Sequence, residues 1–261
     1  MRIRYFKEEK MNISWDADKY TRDFSFVPRY GNDVLELIDF EKVQSAIDLG
    51  CGNGALTEKI KANGISVVGI DASSDMLNIA RANYPDIDFV LADAADFSVS
   101  KPVDLVFSNA VFHWISREKQ ADMLSCVSRA LKKGGQFVFE FGGYENCALI
   151  HSALKKAFSE AGFDYEMSFY FPKIGEYASL IEAAGMTVTS AFLFDRLTEL
   201  RGENGLFDWI SMFIKKPFKG MDDELSTKLK NNAVEKLKAR LFFGDKWHAD
   251  YVRIRMKAVK K

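Results

Sequence analysis

Short apolar runs alternate with amphipathic stretches through the first half of the chain. Each run has the length and composition of a buried strand, and each stretch between runs places apolar residues at helical spacing. Predicted strands cover residues 46–49, 67–71, 87–91, 103–107 and 136–141, and predicted helices cover 32–39, 55–62, 74–83 and 117–133. Strands that alternate with helices favour an α/β fold with a doubly wound, mostly parallel sheet.

The pattern changes after Gly142-Gly143. The predicted elements that follow are helices over 147–161 and 174–184, a strand over 186–195, helices over 206–214 and 222–242, and a last strand over 250–259. The two strands complete a sheet of seven. A minimal nucleotide-binding fold lacks the two helices between them, so we interpret these as a helical insertion that covers the site and selects the substrate.

A glycine-rich turn follows the first predicted strand. Residues 48–54 read Asp-Leu-Gly-Cys-Gly-Asn-Gly, so Gly50, Gly52 and Gly54 occupy alternate positions. Glycine permits positive φ and close approach of the backbone to a ligand, and a helix beginning at Ala55 directs free N–H groups toward the turn. The turn predicts a nucleotide-like cofactor. Because the dinucleotide pattern G-x-G-x-x-G/A also fits here, a nicotinamide-dependent oxidoreductase remains an alternative.

Polar residues also end the next three predicted strands. Asp71 lies about 20 residues past the turn, where such folds hydrogen-bond the ribose hydroxyls of a cofactor. Asp93 and Asn109 follow the next two strands. The carboxyl ends of parallel strands lie at one edge of a sheet, so we expect these side chains to converge on one site.

Composition narrows the class of protein. No apolar run approaches the ~20 residues of a membrane span, and residues 1–10 lack the apolar core of a signal peptide. Cys51, Cys126 and Cys147 form no paired motif, which favours free thiols and a cytoplasmic location. The three histidines are too dispersed in sequence for a metal motif, so no metal is predicted.

The net charge of −1 is unevenly distributed. Residues 215–261 contain 14 Lys and Arg against six Asp and Glu. A basic region of this kind can bind RNA or phosphate groups. The lysines alternate with apolar residues at helical spacing, so we interpret them as a solvated helix face and predict no nucleic-acid partner.

Taken together, the motifs resemble those of the class I S-adenosylmethionine (SAM)-dependent methyltransferases. Asp48 precedes the first glycine by two positions, and the order Asp-x-Gly-x-Gly-x-Gly is similar to the first motif of that superfamily. Five further segments resemble the type 11 and trans-aconitate methyltransferase group; they cover residues 15–20, 108–114, 141–143, 205–209 and 249–255.

The resemblance implies a Rossmann-like core with SAM as cofactor. It divides the chain into a cofactor-covering segment (1–30), a SAM-binding core (31–200), a substrate-side insertion (201–247) and a final strand (248–261). The implied cofactor-binding residues are Tyr20, Asp48, Gly50, Cys51, Gly52, Gly54, Asp71, Ala72, Met76, Asp93, Ala94, Asn109, Ala110 and His113.

Several of these residues have an implied role. The glycine turn would pass beneath the methionine half of SAM, and Asp48 would lie at the base of that pocket. Asp71 would accept from the ribose hydroxyls, Met76 would cover the adenine face, and Asp93 would accept from the adenine amino group. For Met76 the alternative is ordinary core packing, because methionine is a common gap-filler.

His113 and Tyr20 are the candidates for catalysis. Either side chain could serve as the base that a phenol or amine acceptor needs. A carboxylate acceptor is ionised at pH 7 and needs none. His113 lies between Phe112 and Trp114, so we favour packing or cofactor contact for it. The shortage of obvious bases then favours a small-molecule carboxylate as the methyl acceptor.

Aromatic and basic residues of the later segments are candidates for the acceptor side; they are Tyr144, Arg196, Trp209, Phe213 and Trp247. Ordinary packing is the alternative for each of them. The leading hypothesis for the chain is a SAM-dependent methyltransferase of small molecules. The alternatives are methylation of a carrier-bound acyl group or RNA, a nicotinamide-dependent oxidoreductase, and a non-catalytic nucleotide-binding module.

Overall fold

The computed structural model describes residues 3–5 and 26–261, with side chains from residue 31 onward. Tyr20 and most of the predicted covering segment lie outside these residues. The strands are β1 (Ile3–Tyr5), β2 (Ser45–Leu49), β3 (Ser66–Asp71), β4 (Asp88–Leu91), β5 (Phe97–Val99), β6 (Val103–Asn109), β7 (Leu131–Gly142), β8 (Met186–Leu200), β9 (Phe242–Phe243) and β10 (Lys246–Lys260). The helices are α1 (Phe26–Leu35), α2 (Ala55–Lys61), α3 (Ser74–Asn83), α4 (Gln120–Ala130), α5 (Ala148–Glu160), α6 (Ile174–Ala183), α7 (Gly205–Phe213) and α8 (Asp223–Leu241).

The main sheet has the strand order β4-β3-β2-β6-β7-β10-β8, and the short β9 pairs with β10. The pairs β2–β3, β3–β4, β2–β6 and β6–β7 are parallel, whereas β9 runs antiparallel to β10. This confirms the predicted α/β fold with a mostly parallel sheet of about seven strands. Strands β1 and β5, which the sequence pattern did not predict, form a separate antiparallel pair.

The chain order reverses across β2, since β3 and β4 extend the sheet on one side and β6 lies on the other. Such a switch point opens a crevice at the carboxyl ends of the adjacent strands. The Ser108 hydroxyl donates to the Leu49 carbonyl at 2.7 Å and so joins the ends of β2 and β6. The glycine turn and Asn109 follow these two strand ends.

Two predicted helices had the wrong boundaries. The helix predicted over 32–39 begins earlier, at Phe26, and ends at Leu35. The helix predicted to end at Lys133 ends at Ala130 instead. Leu131 pairs with Val103 in the sheet and is buried, so the chain leaves the helix to place this side chain in the core.

The chain divides into two compact units. The first contains residues 1–141, 172–192 and 254–261, and the second contains 142–171 and 193–253. One core of the first unit packs α1 and α2 against the central strands through Val34, Ile60 and Phe107. In the second unit α5 packs against α8, and Phe158 meets Phe218 edge to face at 5.1 Å. Helices α7 and α8 occupy the range of the predicted insertion.

No helix of the described residues is long and apolar enough to cross a membrane.

Candidate active site

The glycine turn leaves β2 in a left-handed backbone conformation. Gly50, Gly52 and Gly54 have φ of +76°, +54° and +82°. The N–H groups of Gly50 and Cys51 donate to the Ile70 carbonyl at 2.7 and 3.0 Å, which ties the turn to the end of β3. Because residues with a Cβ rarely adopt such φ values, the backbone explains why glycines occur at all three positions.

The three glycines differ in what surrounds them. A Cβ on Gly50 would lie 2.1 Å from Val111 Cγ2, and one on Gly54 would lie 2.8 Å from the Phe89 ring. At Gly52 the nearest atom would be Met76 Cε, the flexible end of a side chain, at 3.1 Å. Side chains of the protein therefore fill the space beside Gly50 and Gly54, and Gly52 has the most open surroundings of the three.

Asp48 is buried at the end of β2. Its Oδ2 accepts from the Thr57 hydroxyl at 2.6 Å. Burial raises the pKa of Asp48 to about 7, and the Thr57 hydrogen bond only partly opposes this rise. The charge of this carboxyl group therefore changes near neutral pH. Sequence reasoning did not identify Thr57 as its partner.

Asp71 braces the glycine turn from the end of β3. Its Oδ2 accepts from Gly52 N–H and its Oδ1 from Ser73 N–H, both at 2.8 Å. Burial raises the pKa of Asp71, and these backbone donors oppose the rise, together with one from Ala72. A carboxylate has about four lone-pair positions and these donors occupy three, so Asp71 can hold the turn and still accept from a ligand hydroxyl.

Two further cofactor candidates follow β4. Asp93 is exposed, and its Oδ1 accepts from Ala95 N–H at 2.8 Å, which closes a local turn. Ala94 is buried beside it. The Ala92 N–H donates to the Asp71 carbonyl at 3.0 Å, so the loop after β4 is anchored to the end of β3.

Ala110, at the end of β6, has φ of +62° although it carries a Cβ. Its N–H donates to the Glu140 carbonyl at 2.7 Å. A non-glycine residue in the left-handed region costs about 1–2 kcal/mol, and such strain is often found at functional sites. Asn109 and Ala110 are thus placed by the neighbouring strand β7.

Glu140 is a residue of this region that sequence reasoning missed. It is buried in β7, and its Oε2 accepts from both Nε and Nη2 of Arg255 at 2.8 Å. Arg255 Nη1 also donates to the Asp33 carbonyl at 3.2 Å. A glutamate within the apolar run Phe137–Phe141 was the available signal, because a buried charge requires a partner.

His113 lies in a short 3-10 turn after β6. The His113 and Phe141 rings are nearly parallel, with their centroids 6.4 Å apart, and the centroid of the Trp114 ring lies 5.4 Å from that of His113.

Cys51, in the glycine turn, is a buried free thiol. Burial raises the pKa of Cys51 well above its usual value, and the carboxylates of Asp71 and Asp48 add to the rise. The protonated thiol is a poor nucleophile.

The acceptor-side candidates belong to the second unit. The Trp209 indole donates to the Tyr251 hydroxyl at 2.6 Å, and its ring lies 5.3 Å from Phe213. The Trp247 indole donates to the Glu203 carbonyl at 3.0 Å. The structure thus brings Trp209 and Phe213 together, and the protein itself provides acceptors for both indole N–H groups.

The remaining two candidates have different surroundings. Tyr144 is exposed, and the Arg196 guanidinium lies over the Phe194 ring at 5.1 Å.

Across residues 3–5 and 26–261, no group of three or more His, Cys, Asp or Glu side chains could hold a metal ion.

Comparisons with known proteins agree with this architecture. A model of a methyltransferase domain matches residues 46–135. The chain is 32% identical over 210 residues to the uncharacterized methyltransferase C70.08c of Schizosaccharomyces pombe, which covers 76% of this chain and 80% of that protein.

It is also 38% identical over 125 residues to a trans-aconitate 2-methyltransferase of Rhizobium rhizogenes. That match covers 47% of this chain and 48% of the relative, so the aligned region spans about half of each. Among solved structures, a phosphoethanolamine N-methyltransferase 2 of Haemonchus contortus, in complex with phosphomonomethylethanolamine and S-adenosylhomocysteine, superposes with a TM-score of 0.56. The two sequences are 19% identical, and the superposition covers 89% of this chain and 52% of the Haemonchus chain. This similarity indicates a shared fold.

Proposed function

The chain belongs to the class I SAM-dependent methyltransferases, and from that membership we propose that it methylates a small-molecule carboxylate similar to trans-aconitate. The observation that carries the acceptor class is the 38% identity to a trans-aconitate 2-methyltransferase over 125 residues. The buried free cysteines support a cytoplasmic location as part of the same proposal.

The residues of the first unit fit the cofactor. We assign the open backbone at Gly52 to the methionine half of SAM and the remaining acceptor capacity of the Asp71 carboxylate to the ribose hydroxyls. Met76, whose methyl group lies beside Gly52, would cover the adenine face, and Asp93 with Ala94 would meet the adenine edge. When its carboxyl group is ionised, Asp48 would attract the positively charged end of the ligand.

The cofactor supplies an activated methyl group on a sulfonium, and the protein has to hold the acceptor in line with it. Positioning of this kind can supply several kcal/mol of the barrier reduction. A carboxylate is already ionised at pH 7, so no base is needed. The packing of His113 against Phe141 and Trp114 supports a contact role rather than proton transfer.

Removal of the Asp71 carboxylate should weaken binding of the product S-adenosylhomocysteine. We expect Asp71→Ala to cost at least ~1.5 kcal/mol, or about tenfold in Kd, because the ribose hydroxyls lose their acceptor. Isothermal titration calorimetry measures this, and Asp88→Ala, an exposed acid at the start of β4, is the control. Unchanged affinity in a folded Asp71→Ala protein would contradict the ribose assignment.

The acceptor class is tested by incubating the protein with methyl-labelled SAM and a panel of small di- and tricarboxylic acids. We expect a methyl ester, which is identified by release of labelled methanol on mild alkaline hydrolysis. The matching primary amides lack an ionised oxygen and should not be methylated. Transfer to amides, amines or RNA, with no ester from any acid, would reject a carboxylate acceptor.

The same assay distinguishes a contact role from a catalytic role for His113. Loss of a general base usually costs about 10²–10⁴-fold in rate. We expect His113→Gln to lose less than about tenfold in kcat toward the acid, because the acceptor needs no deprotonation. Near-complete loss of turnover, with the melting temperature and S-adenosylhomocysteine affinity intact, would instead assign His113 as the base.

A further inference from the structure

The side chain of Gln120 is the centre of a buried hydrogen-bond network in the first unit. Gln120 is the first residue of α4 and is fully buried, as is Tyr177 of α6. Its Nε2 donates to the carbonyls of Phe112 and Ile115, both at 2.9 Å, and its Oε1 accepts from the Tyr177 hydroxyl at 3.0 Å. All four residues belong to the first unit. Neither side chain was among the candidates identified from the sequence.

The partners of the Gln120 amide fix its orientation. Backbone carbonyls only accept hydrogen bonds, so the amide nitrogen, which has two hydrogens, must face Phe112 and Ile115. The amide oxygen then faces Tyr177, whose hydroxyl has to be the donor. Both hydrogens and the oxygen of the amide are thus engaged. A buried network in which every member is satisfied makes its surroundings rigid.

The two carbonyls belong to the turn after β6, which comprises residues 110–115. Phe112 and Ile115 also share a backbone hydrogen bond, in which the Ile115 N–H donates to the Phe112 carbonyl at 3.2 Å. Gln120 binds both residues from the side, at the shorter distance of 2.9 Å. The first residue of α4 therefore joins the two ends of the 3-10 turn that contains His113.

The turn after β6 packs directly on the glycine turn. Val111 lies so close to Gly50 that a Cβ on this glycine would be 2.1 Å from Val111 Cγ2. The residue before Val111 is Ala110, whose backbone is strained at φ of +62°. A strained residue keeps its conformation only when the surrounding structure holds it there. The hydrogen bonds from Gln120 provide such a hold two residues further along the chain.

Tyr177 is itself held in place by aromatic rings of β7. Its ring meets Phe141 edge to face at 4.9 Å and Phe139 at 5.6 Å. The Tyr177 hydroxyl therefore has a fixed position from which it can orient the Gln120 amide. Helix α6, which contributes Tyr177, lies outside the residues 46–135 that match the methyltransferase domain model. A segment beyond the matched domain thus stabilises a turn within it.

We propose that Gln120, oriented by Tyr177, is a positioning residue for cofactor binding. It holds the turn after β6 so that Val111 stays packed on Gly50 and the glycine turn is preformed for the cofactor. A preformed site binds more tightly, because fewer groups have to be ordered when the ligand binds. The inference rests on the proposed function in one respect, since it takes the glycine turn to be the SAM site.

Gln120→Met and Gln136→Met form a matched pair of variants. Gln136 is also buried, and its amide holds the Asp39 backbone through hydrogen bonds of 2.9 and 3.0 Å. It pairs with Leu105 near the start of β6, whereas the glycine turn lies at the other end of the sheet. Both substitutions keep the length of the side chain and remove at least two buried hydrogen bonds, so we expect the melting temperature to fall in both.

Only the first variant should affect the cofactor site. By calorimetric titration with S-adenosylhomocysteine, we expect Gln120→Met to raise Kd about tenfold and Gln136→Met to change it by less than about twofold. By hydrogen exchange and mass spectrometry, peptides that cover residues 110–115 should exchange faster in Gln120→Met alone. Equal Kd values for the two folded variants, or equal exchange at this turn, would overturn the proposal.

Tyr177→Phe is a milder variant that keeps the test decisive if Gln120→Met does not fold. It retains the ring that packs on Phe139 and Phe141 and removes only the hydroxyl that orients the Gln120 amide. We expect faster exchange at residues 110–115 and a rise of about threefold in Kd for S-adenosylhomocysteine. Unchanged exchange and unchanged Kd would contradict the role of Tyr177 and with it the proposal.

Asp71→Ala separates a failure of this inference from a failure of the proposed cofactor site. If Asp71→Ala weakens binding of S-adenosylhomocysteine and Gln120→Met does not, the cofactor site stands and Gln120 serves stability alone. If Gln120→Met speeds exchange at the turn but neither variant changes Kd, the cofactor lies elsewhere, and both the cofactor site and the positioning role are rejected.

Discussion

Gly50→Ala is expected to destabilise the fold by about 2–5 kcal/mol, whereas Gly64→Ala should cost about 1–2 kcal/mol. The two glycines have nearly the same φ, +76° and +78°, so both variants acquire the strain of a left-handed residue. They differ in the space available for a Cβ. A Cβ on Gly50 would lie only 2.1 Å from Val111 Cγ2, whereas nothing lies within 4 Å of a Cβ on Gly64. The difference between the variants is therefore due mainly to steric overlap.

Chemical denaturation of both variants checks this expectation. Val111→Ala in the Gly50→Ala background should recover part of the loss, because it removes the two methyl groups in closest contact. Equal losses for Gly50→Ala and Gly64→Ala would show that the packing of Val111 against the turn is unimportant. The result bears on function as well, since Val111 lies beside Ala110 and the turn is the proposed cofactor site.

Glu140→Ala is expected to lower the free energy of unfolding by about 3–5 kcal/mol. The substitution removes the carboxylate that accepts two hydrogen bonds from Arg255. It leaves a guanidinium with 15% exposed side-chain surface, which the exposed Asp33 carboxylate, 3.9 Å away, compensates only weakly. It would also loosen the end of β7, whose Glu140 carbonyl accepts from the strained Ala110.

The control is Glu199→Ala. Glu199 pairs with Lys246 at 2.8 Å, but about half of each side chain is exposed, so we expect a loss much smaller than that of Glu140→Ala. A double variant, Glu140→Leu with Arg255→Met, should regain most of the stability, because it removes both charges together. If Glu140→Ala were as mild as Glu199→Ala, the Arg255 charge would have to be compensated by Asp33 or reach solvent by a small rearrangement.

Much of the fold, and the motifs on which the proposed cofactor site rests, could be predicted from local patterns. The glycines, Asp48 and Asp71 were recognisable because turn chemistry and strand ends leave a signature within a few residues. Membership in the methyltransferase family then decides between SAM and the nicotinamide alternative that the same turn allowed. The end of α4 could not be predicted, because Lys132-Lys133-Gly134-Gly135 favours a helix end locally while the sheet takes Leu131 out of the helix.

The sequence by itself determined the alternation of strands and helices, the position of the glycine turn and the acids that follow the strands, since each depends on neighbours along the chain. Only the tertiary structure decided the partners of buried polar groups: Thr57 for Asp48, Arg255 for Glu140, and Tyr165 for His151. These partners are 9, 115 and 14 residues apart in sequence, and no periodic pattern encodes such pairings. They form because burial removes water as the alternative hydrogen-bond partner, and burial is a property of the folded chain.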